Sequence, residues 1–173
     1  MTQTSLPQFS LVIGGAGSGK SAHAERLLIQ TGRPLLYIAT GQAYDEEMQR
    51  KIKLHQDRRG AVWRTIEAPL DVPTALAQAL PQEAVLLDCA TLWLTNHLFA
   101  ESNLETEEAR LIDAIITCPA PVVVVTNEVG AGIVPENALA RRFRNAQGAL
   151  NQRLAADADN VTAVMAGLPL VLK

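Results

Sequence analysis

The sequence predicts an α/β fold, a mainly parallel central sheet with helices on both faces, and three observations carry that reading. Apolar runs of strand length recur along the chain, and segments long enough for helices separate them. The first run leads directly into Gly14-Gly15-Ala16-Gly17-Ser18-Gly19-Lys20-Ser21, which completes the phosphate-loop pattern G-x-x-x-x-G-K-[ST]. A chain of 173 residues fits one domain, 1–173. At that length roughly 70% of the unfolded chain's surface can be buried without help from disulfides.

Taken in order, Phe9 to Ile13 is the first strand, and Lys20 opens an amphipathic helix through Ala22, Ala24, Leu27 and Leu28. Leu35 to Ala39 is the second strand. Ala43 to Arg59 follows with Tyr44, Met48, Ile52 and His55 at helical spacing, which places those four on one face. Asp71 to Leu80 is a shorter helix, with Asp71 as N-cap and Pro73 in the first turn. Ala84 to Leu87, Pro121 to Val125 and Val161 to Ala166 complete the parallel set. The unbroken Val122-Val123-Val124-Val125 reads as a central strand buried on both sides, since a half-exposed strand would alternate. Between the last two strands, Pro135, Glu136 and Asn137 signal a helix start, and Leu139, Phe143, Ala146, Leu150 and Leu154 form its apolar stripe. A turn at Gly167-Leu168-Pro169 leads to Val171 and Leu172, a short antiparallel edge.

Composition narrows the function. A net charge of −3 argues against a nucleic-acid binder working through a broad basic surface. No apolar stretch reaches the roughly 18 residues of a membrane helix, and Met1 to Gln8 lacks the apolar core of a signal peptide. A cytoplasmic protein is therefore expected. Cys89 and Cys118 lie in or beside apolar segments without C-x-x-C spacing and read as reduced, core-type thiols.

The phosphate loop points to a nucleoside triphosphate. Its glycines let successive backbone N–H groups curl around phosphate oxygens, and the following helix aims its positive dipole end at them. Lys20 would reach the β- and γ-phosphates, and the Ser21 hydroxyl would ligate Mg²⁺. Such a site also needs a carboxylate at a neighbouring strand end, and Asp88 after Val85-Leu86-Leu87 supplies one for the same Mg²⁺. Glu128, in Thr126-Asn127-Glu128, should face the same crevice, because open α/β sheets bind ligands at the carboxyl ends of their strands. Either Asp88 or Glu128 could accept a substrate proton.

A second cluster does not belong to a plain kinase. Arg50, Lys51, Lys53, Arg58 and Arg59 surround His55 within ten residues of an otherwise acidic chain. Arg58 and Arg59 lie three and four positions beyond His55, on its side of a helix, where they could hold a phosphate against the ring. The same pattern fits a solvated basic face whose histidine ends an apolar stripe. The chemical alternative is nucleophilic catalysis, in which a neutral imidazole nitrogen attacks the α-phosphate of a nucleotide. With an ordinary pKa of about 6.5, roughly three-quarters of such a ring is neutral at pH 7.

The phosphate loop, Tyr37-Ile38-Ala39-Thr40 followed by Asp45-Glu46-Glu47-Met48, His55-x-x-x-Arg59, Trp63-Arg64-Thr65-x-Glu67, and Thr126-Asn127-Glu128-Val129-Gly130-x-Gly132-Ile133-Val134-Pro135 together resemble the bifunctional adenosylcobinamide kinase / adenosylcobinamide-phosphate guanylyltransferase family of cobalamin biosynthesis. The likeness runs from the first strand nearly to the C-terminus. It implies a P-loop NTPase fold of RecA-like type and two linked reactions. The aminopropanol hydroxyl of adenosylcobinamide takes a γ-phosphoryl group from ATP or GTP. A histidine then accepts GMP from GTP and passes it to adenosylcobinamide phosphate. By position in the motif that histidine is His55. The resemblance carries guanine-nucleotide contacts to Ala39, Thr40 and Gly41, to Gln56, Asp57, Arg58 and Arg59, and to Glu67 and Asp88. It also implies a homo-oligomer. One departure is visible: Gly17 stands where the family usually has arginine. Two other readings fit the phosphate loop, a small-molecule kinase without nucleotidyl transfer and a nucleotide-binding regulatory module without turnover.

Overall fold

A computed structural model of the chain describes residues 6–42 and 62–173. The expected helix Ala43 to Arg59, with His55 and its basic neighbours, lies outside the described residues.

Among the described residues the strands are β1 (Phe9–Gly14), β2 (Leu35–Ala39), β3 (Trp63–Glu67), β4 (Ala84–Asp88), β5 (Val122–Asn127), β6 (Asn160–Met165) and β7 (Leu168–Val171). The helices are α1 (Lys20–Ile29), α2 (Val72–Leu76), α3 (Ala90–Phe99), α4 (Leu104–Thr117) and α5 (Ala138–Asp157). The strands form one sheet in the order β3-β2-β4-β5-β1-β6-β7. Every pairing is parallel except β6 with β7.

Alternation along the strands fills two cores. Leu11, Leu36, Leu87, Val122 and Val124 point to one face and meet Trp93, Leu111, Leu150 and Leu154 from the helices. Val12, Leu35, Tyr37, Leu86, Val123 and Val125 point to the other and meet Ala24 and Leu28 of α1. Both faces of β4 and β5 are thus covered, which is why their sequences are apolar without a period of two.

Several expected boundaries shift for identifiable reasons. The expected Asp71 to Leu80 helix keeps its Asp71 cap but ends at Leu76, and Gln78 and Ala79 continue in i→i+3 turns. The long helix starts at Ala138, one residue past Asn137, whose side chain accepts from the N–H groups of Leu139 (2.7 Å) and Ala140 (3.2 Å). Leu139 therefore sits outside the apolar stripe and is 51% exposed. The final turn is tighter than expected. Ala166 (φ 52°) and Gly167 (φ 77°) form a two-residue corner with both φ positive, so β7 already starts at Leu168. Pro169 pairs opposite Val164 on this outermost strand, where a missing N–H is tolerated. Strand β3 was not foreseen as an element. Cys89 and Cys118 are free and buried, as their surroundings suggest.

Candidate active site

The phosphate loop links β1 to α1. Gly19 ends it at φ 92° as the N-cap residue of α1, and no side chain caps that helix. The first-turn N–H groups are left for an outside acceptor, in the direction the helix dipole favours for an anion. Lys20 folds over the loop and donates from Nζ to Gly15 O at 3.0 Å. A second support comes from far along the chain: Gly167 N–H, in the β6–β7 corner, donates to Ser18 O at 2.8 Å. Gly19 lies at φ 92°, where a side chain is strained, and a Cβ there would stand only 3.1 Å from Gly167 Cα, so glycine suits this close approach.

Beside the loop, β3, β2 and β4 end level with one another, since Ala39 is the cross-strand partner of both Glu67 and Asp88. Asp88 is half-buried and accepts a hydrogen bond from Tyr37 Oη at 2.8 Å. Burial holds the Lys20 ammonium below its ordinary value, while the Cys89 and Asp88 side chains pull the other way. Burial, aided by the neighbouring Asp88 charge, pushes the Cys89 thiol up to about 12, so at neutral pH it keeps its proton.

Thr40 is placed differently from Ala39 and Gly41. It is fully buried, and its hydroxyl donates to Cys89 O (2.8 Å) and accepts from Cys89 N–H (2.9 Å). Its carbonyl accepts from Asn96 Nδ2 at 2.8 Å. In this structure Thr40 braces the ends of β2 and β4 and so fixes where Asp88 points. Cys89, for its part, caps α3, its Sγ accepting from Leu92 N–H at 3.4 Å.

The described residues place Gly14, Gly15, Ala16, Gly17, Ser18, Gly19, Lys20 and Ser21 in the loop with Asp88 near Lys20, while Ala39, with Gly41 beyond it, and Glu67 end level with Asp88 on β2 and β3, farther along the same sheet edge. Glu128 joins them at the next strand end: its N–H donates to Gly14 O at 3.0 Å, and its Oε1 accepts from Gly130 N–H. The expected contacts His55, Gln56, Asp57, Arg58 and Arg59 fall outside the described residues. Reading along the sequence missed Tyr37 as the partner of Asp88, although the period of two that puts Tyr37 and Ala39 on one face was available. For Mg²⁺, the donor set fits. Ser21 and Asp88 offer hard oxygen ligands, and among the described residues no group of three His, Cys, Asp or Glu side chains could cage a metal ion. A cation held by two protein oxygens, waters and nucleotide phosphates matches that arrangement.

What the loop and the strand order define is the P-loop class of nucleotide-binding proteins, and solved structures share the fold. The RadB recombinase superposes with a TM-score of 0.54 at 17% identity, covering 91% of this chain and 74% of that one. The flagellar accessory protein FlaH of Methanocaldococcus jannaschii gives 0.52 at 13% identity, covering 95% and 77%. The expected RecA-like α/β architecture stands. In sequence, residues 10–172 match the family described as cobinamide kinase / cobinamide phosphate guanyltransferase, and the chain belongs to that family. The bifunctional adenosylcobalamin biosynthesis protein CobU of Salmonella typhimurium is 48% identical over 179 residues, covering 94% of this chain and 98% of that relative. The corresponding CobP of Pseudomonas aeruginosa is 45% identical over 170 residues, covering 94% and 96%. Among the described residues no helix is long and apolar enough to cross a membrane.

Proposed function

We propose that this chain is a bifunctional enzyme of cobalamin biosynthesis that phosphorylates adenosylcobinamide and then guanylylates the product. Family membership supports both activities, and the observation that carries the site is Lys20, half-buried beside Asp88 over the uncapped start of α1.

In the kinase step the aminopropanol hydroxyl oxygen attacks the γ-phosphorus of ATP or GTP, the β–γ bridging bond breaks, and the diphosphate leaves. The loop N–H groups and Lys20 hold the phosphates where negative charge develops. Ser21 and Asp88 would hold Mg²⁺, which supplies further charge neutralisation when bound. Tyr37 keeps the Asp88 carboxylate oriented. Glu128, exposed at the next strand end, takes the hydroxyl proton.

In the transferase step a ring nitrogen of His55 attacks the α-phosphorus of GTP, forming a P–N bond and releasing pyrophosphate. A phosphate oxygen of adenosylcobinamide phosphate then attacks the same phosphorus and frees the imidazole. Gln56, Asp57, Arg58 and Arg59 accompany the nucleophile, and Ala39, Gly41 and Glu67 line the nucleotide side. The enzyme works in the cytoplasm as a homo-oligomer and engages no nucleic acid.

The test uses GTP labelled at the α-phosphate. Acid-labile, alkali-stable label should appear on the wild type and be absent from His55→Ala, while His55→Ala still phosphorylates cobinamide. Label that persists in the variant refutes His55 as nucleophile. Phosphorylation without any labelling leaves only a kinase, and nucleotide binding without either transfer leaves a regulatory module.

A further inference from the structure

The segment from Glu128 to Asn137, which joins β5 to α5, rises from a fixed root. Asn127 N–H donates to Thr91 Oγ1 of α3 at 2.8 Å, Asn127 O accepts from Asn151 Nδ2 of α5 at 3.0 Å, and Glu128 N–H donates to Gly14 O. Arg144 then donates from Nη2 to Gly130 O, and Arg141 from Nη1 to the carbonyls of Pro135 and Glu136. The start of α5 therefore lies against both ends of the segment.

Held in this way, the segment turns apolar side chains outward. Ile133 is 97% exposed, the highest value for a large apolar side chain among the described residues, and Val134 (63%) and Leu139 (51%) follow it. Single exposed aliphatic side chains are ordinary, but these three crowd into residues 133–139, beside a strand end of the site. Gly130-Ala131-Gly132, just before them, carries almost no side chain and leaves its backbone open to a broad, flat surface.

The next turns add charge. Arg141, Arg142 and Arg144 occupy the first two turns of α5, at the positive end of its dipole, with no acidic residue in the first turn to offset them. Elsewhere arginines meet carboxylates: Arg64 pairs with Glu83, Arg110 with Glu107 and Arg153 with Glu108. Among the described residues none of the three at the start of α5 does so. Arg141 and Arg144 are occupied by the segment's carbonyls, whereas Arg142 is exposed and engaged, among the described residues, by neither carboxylate nor carbonyl. Helical side chains lean toward the helix N-terminus, so Arg142 leans toward the segment, beside Leu139 three residues before it.

We propose that Ile133, Val134 and Leu139 form the docking face for the corrin ring of the acceptor, with Arg142 taking the phosphate that the first reaction installs. The inference rests on the bifunctional activity proposed above and supplies its acceptor site. With the acceptor hydroxyl at Glu128, the rest of the molecule must extend over the neighbouring surface, and this patch follows Glu128 directly along the chain. An apolar macrocycle rimmed with amides matches aliphatic side chains bordered by guanidinium donors. Once phosphorylated, the acceptor carries the anion that Arg142 lacks.

Equilibrium dialysis of the full chain against cobinamide or cobinamide phosphate, read by the absorbance of the corrin, tests it. Ile133→Ser and Leu139→Ser should each weaken both corrinoids by about tenfold, because each removes a large aliphatic contact. Arg142→Gln should weaken cobinamide phosphate about tenfold and cobinamide by less than about twofold. All three variants should keep the wild-type melting temperature and GTP affinity, since the residues are exposed and lie outside the phosphate loop. Unchanged corrinoid affinity in either serine variant, an equal response of the two corrinoids to Arg142→Gln, or a general loss that includes GTP binding overturns the assignment while the proposed activity stands. So does a serine variant that breaks up the wild-type oligomer in sedimentation, since the patch is then covered by a second copy of the chain. A wild type that binds GTP but neither corrinoid overturns the proposed function and this site with it.

Discussion

Two neighbouring glycines in the phosphate loop should respond oppositely to the same substitution. A Cβ on Gly14 would meet Ser18 Oγ at 2.5 Å and the backbone carbonyl of Val164 at 2.6 Å. Ser18 could rotate, but the carbonyl belongs to β6, the paired neighbour of β1. Strands β1 and β6 must separate at this point, an overpacking that costs about 2 kcal/mol. For a chain of this size that lowers the melting temperature by roughly 4–8 °C. A Cβ on Gly15 has nothing within 4 Å. Gly15→Ala should therefore leave stability unchanged or raise it by up to about 1 kcal/mol, because alanine restricts the unfolded chain. Nucleotide titration separates the roles further. Gly15→Ala should weaken GTP binding without loss of fold, its methyl group obstructing the approach of phosphate to the loop backbone, whereas Gly14→Ala weakens both. Thermal denaturation with and without GTP reads both quantities. Equal melting temperatures for the two variants would refute the account of Gly14, and undiminished GTP affinity in Gly15→Ala would refute the account of the loop.

Other expectations follow from the same geometry. Thr40→Val leaves Cys89 N–H buried and unpaired and removes one of the two donors to Cys89 O, which keeps Trp93 N–H, so it should cost about 2 kcal/mol in denaturant melts; a change under about 0.5 kcal/mol counts against the brace. Gly17 adopts φ 70° with nothing within 4 Å of a built Cβ. Gly17→Arg should thus fit at a strain of about 1 kcal/mol and raise triphosphate affinity several-fold, which a GTP titration would show. The buried Glu83 carboxylate accepts from Arg64 Nε (3.0 Å), Arg64 Nη2 (2.8 Å) and Leu80 N–H (2.8 Å). The hydrogen bond from Arg64 holds its carboxyl below the ordinary value. Its folded-state pKa is thus lower than its unfolded one, so its stabilisation is present above the unfolded value of about 4.5 and is lost as pH falls through the folded one. Acid titration of Glu83→Gln should show lower stability at pH 7 and a shallower loss below about pH 4.5 than the wild type.

Much of the fold was legible because the central strands are apolar on both faces and the helices between them have length to spare. Strand β3 was not, because Trp63-Arg64-Thr65-Ile66-Glu67 lies at the sheet edge with Arg64, Thr65 and Glu67 exposed, and reads as a polar connection. Helix α3 offered little signal either. It is buried around most of its circumference and is capped by a cysteine thiol instead of the usual oxygen. The phosphate loop declared itself because all its chemistry lies within eight consecutive residues. Tyr37, Thr40, Thr91 and Asn151 act across separations of 51, 49, 36 and 24 residues. Those partnerships exist only once the sheet has assembled, and no local pattern announces them.

The corner between the last two strands has a consequence for protein engineering. Because Gly167 N–H holds Ser18 O, the eight-residue loop does not own its full shape. Grafted onto another strand and helix, the octapeptide would arrive without the amide that steadies its middle, and would be expected to clasp nucleotide less firmly than it does in its native setting.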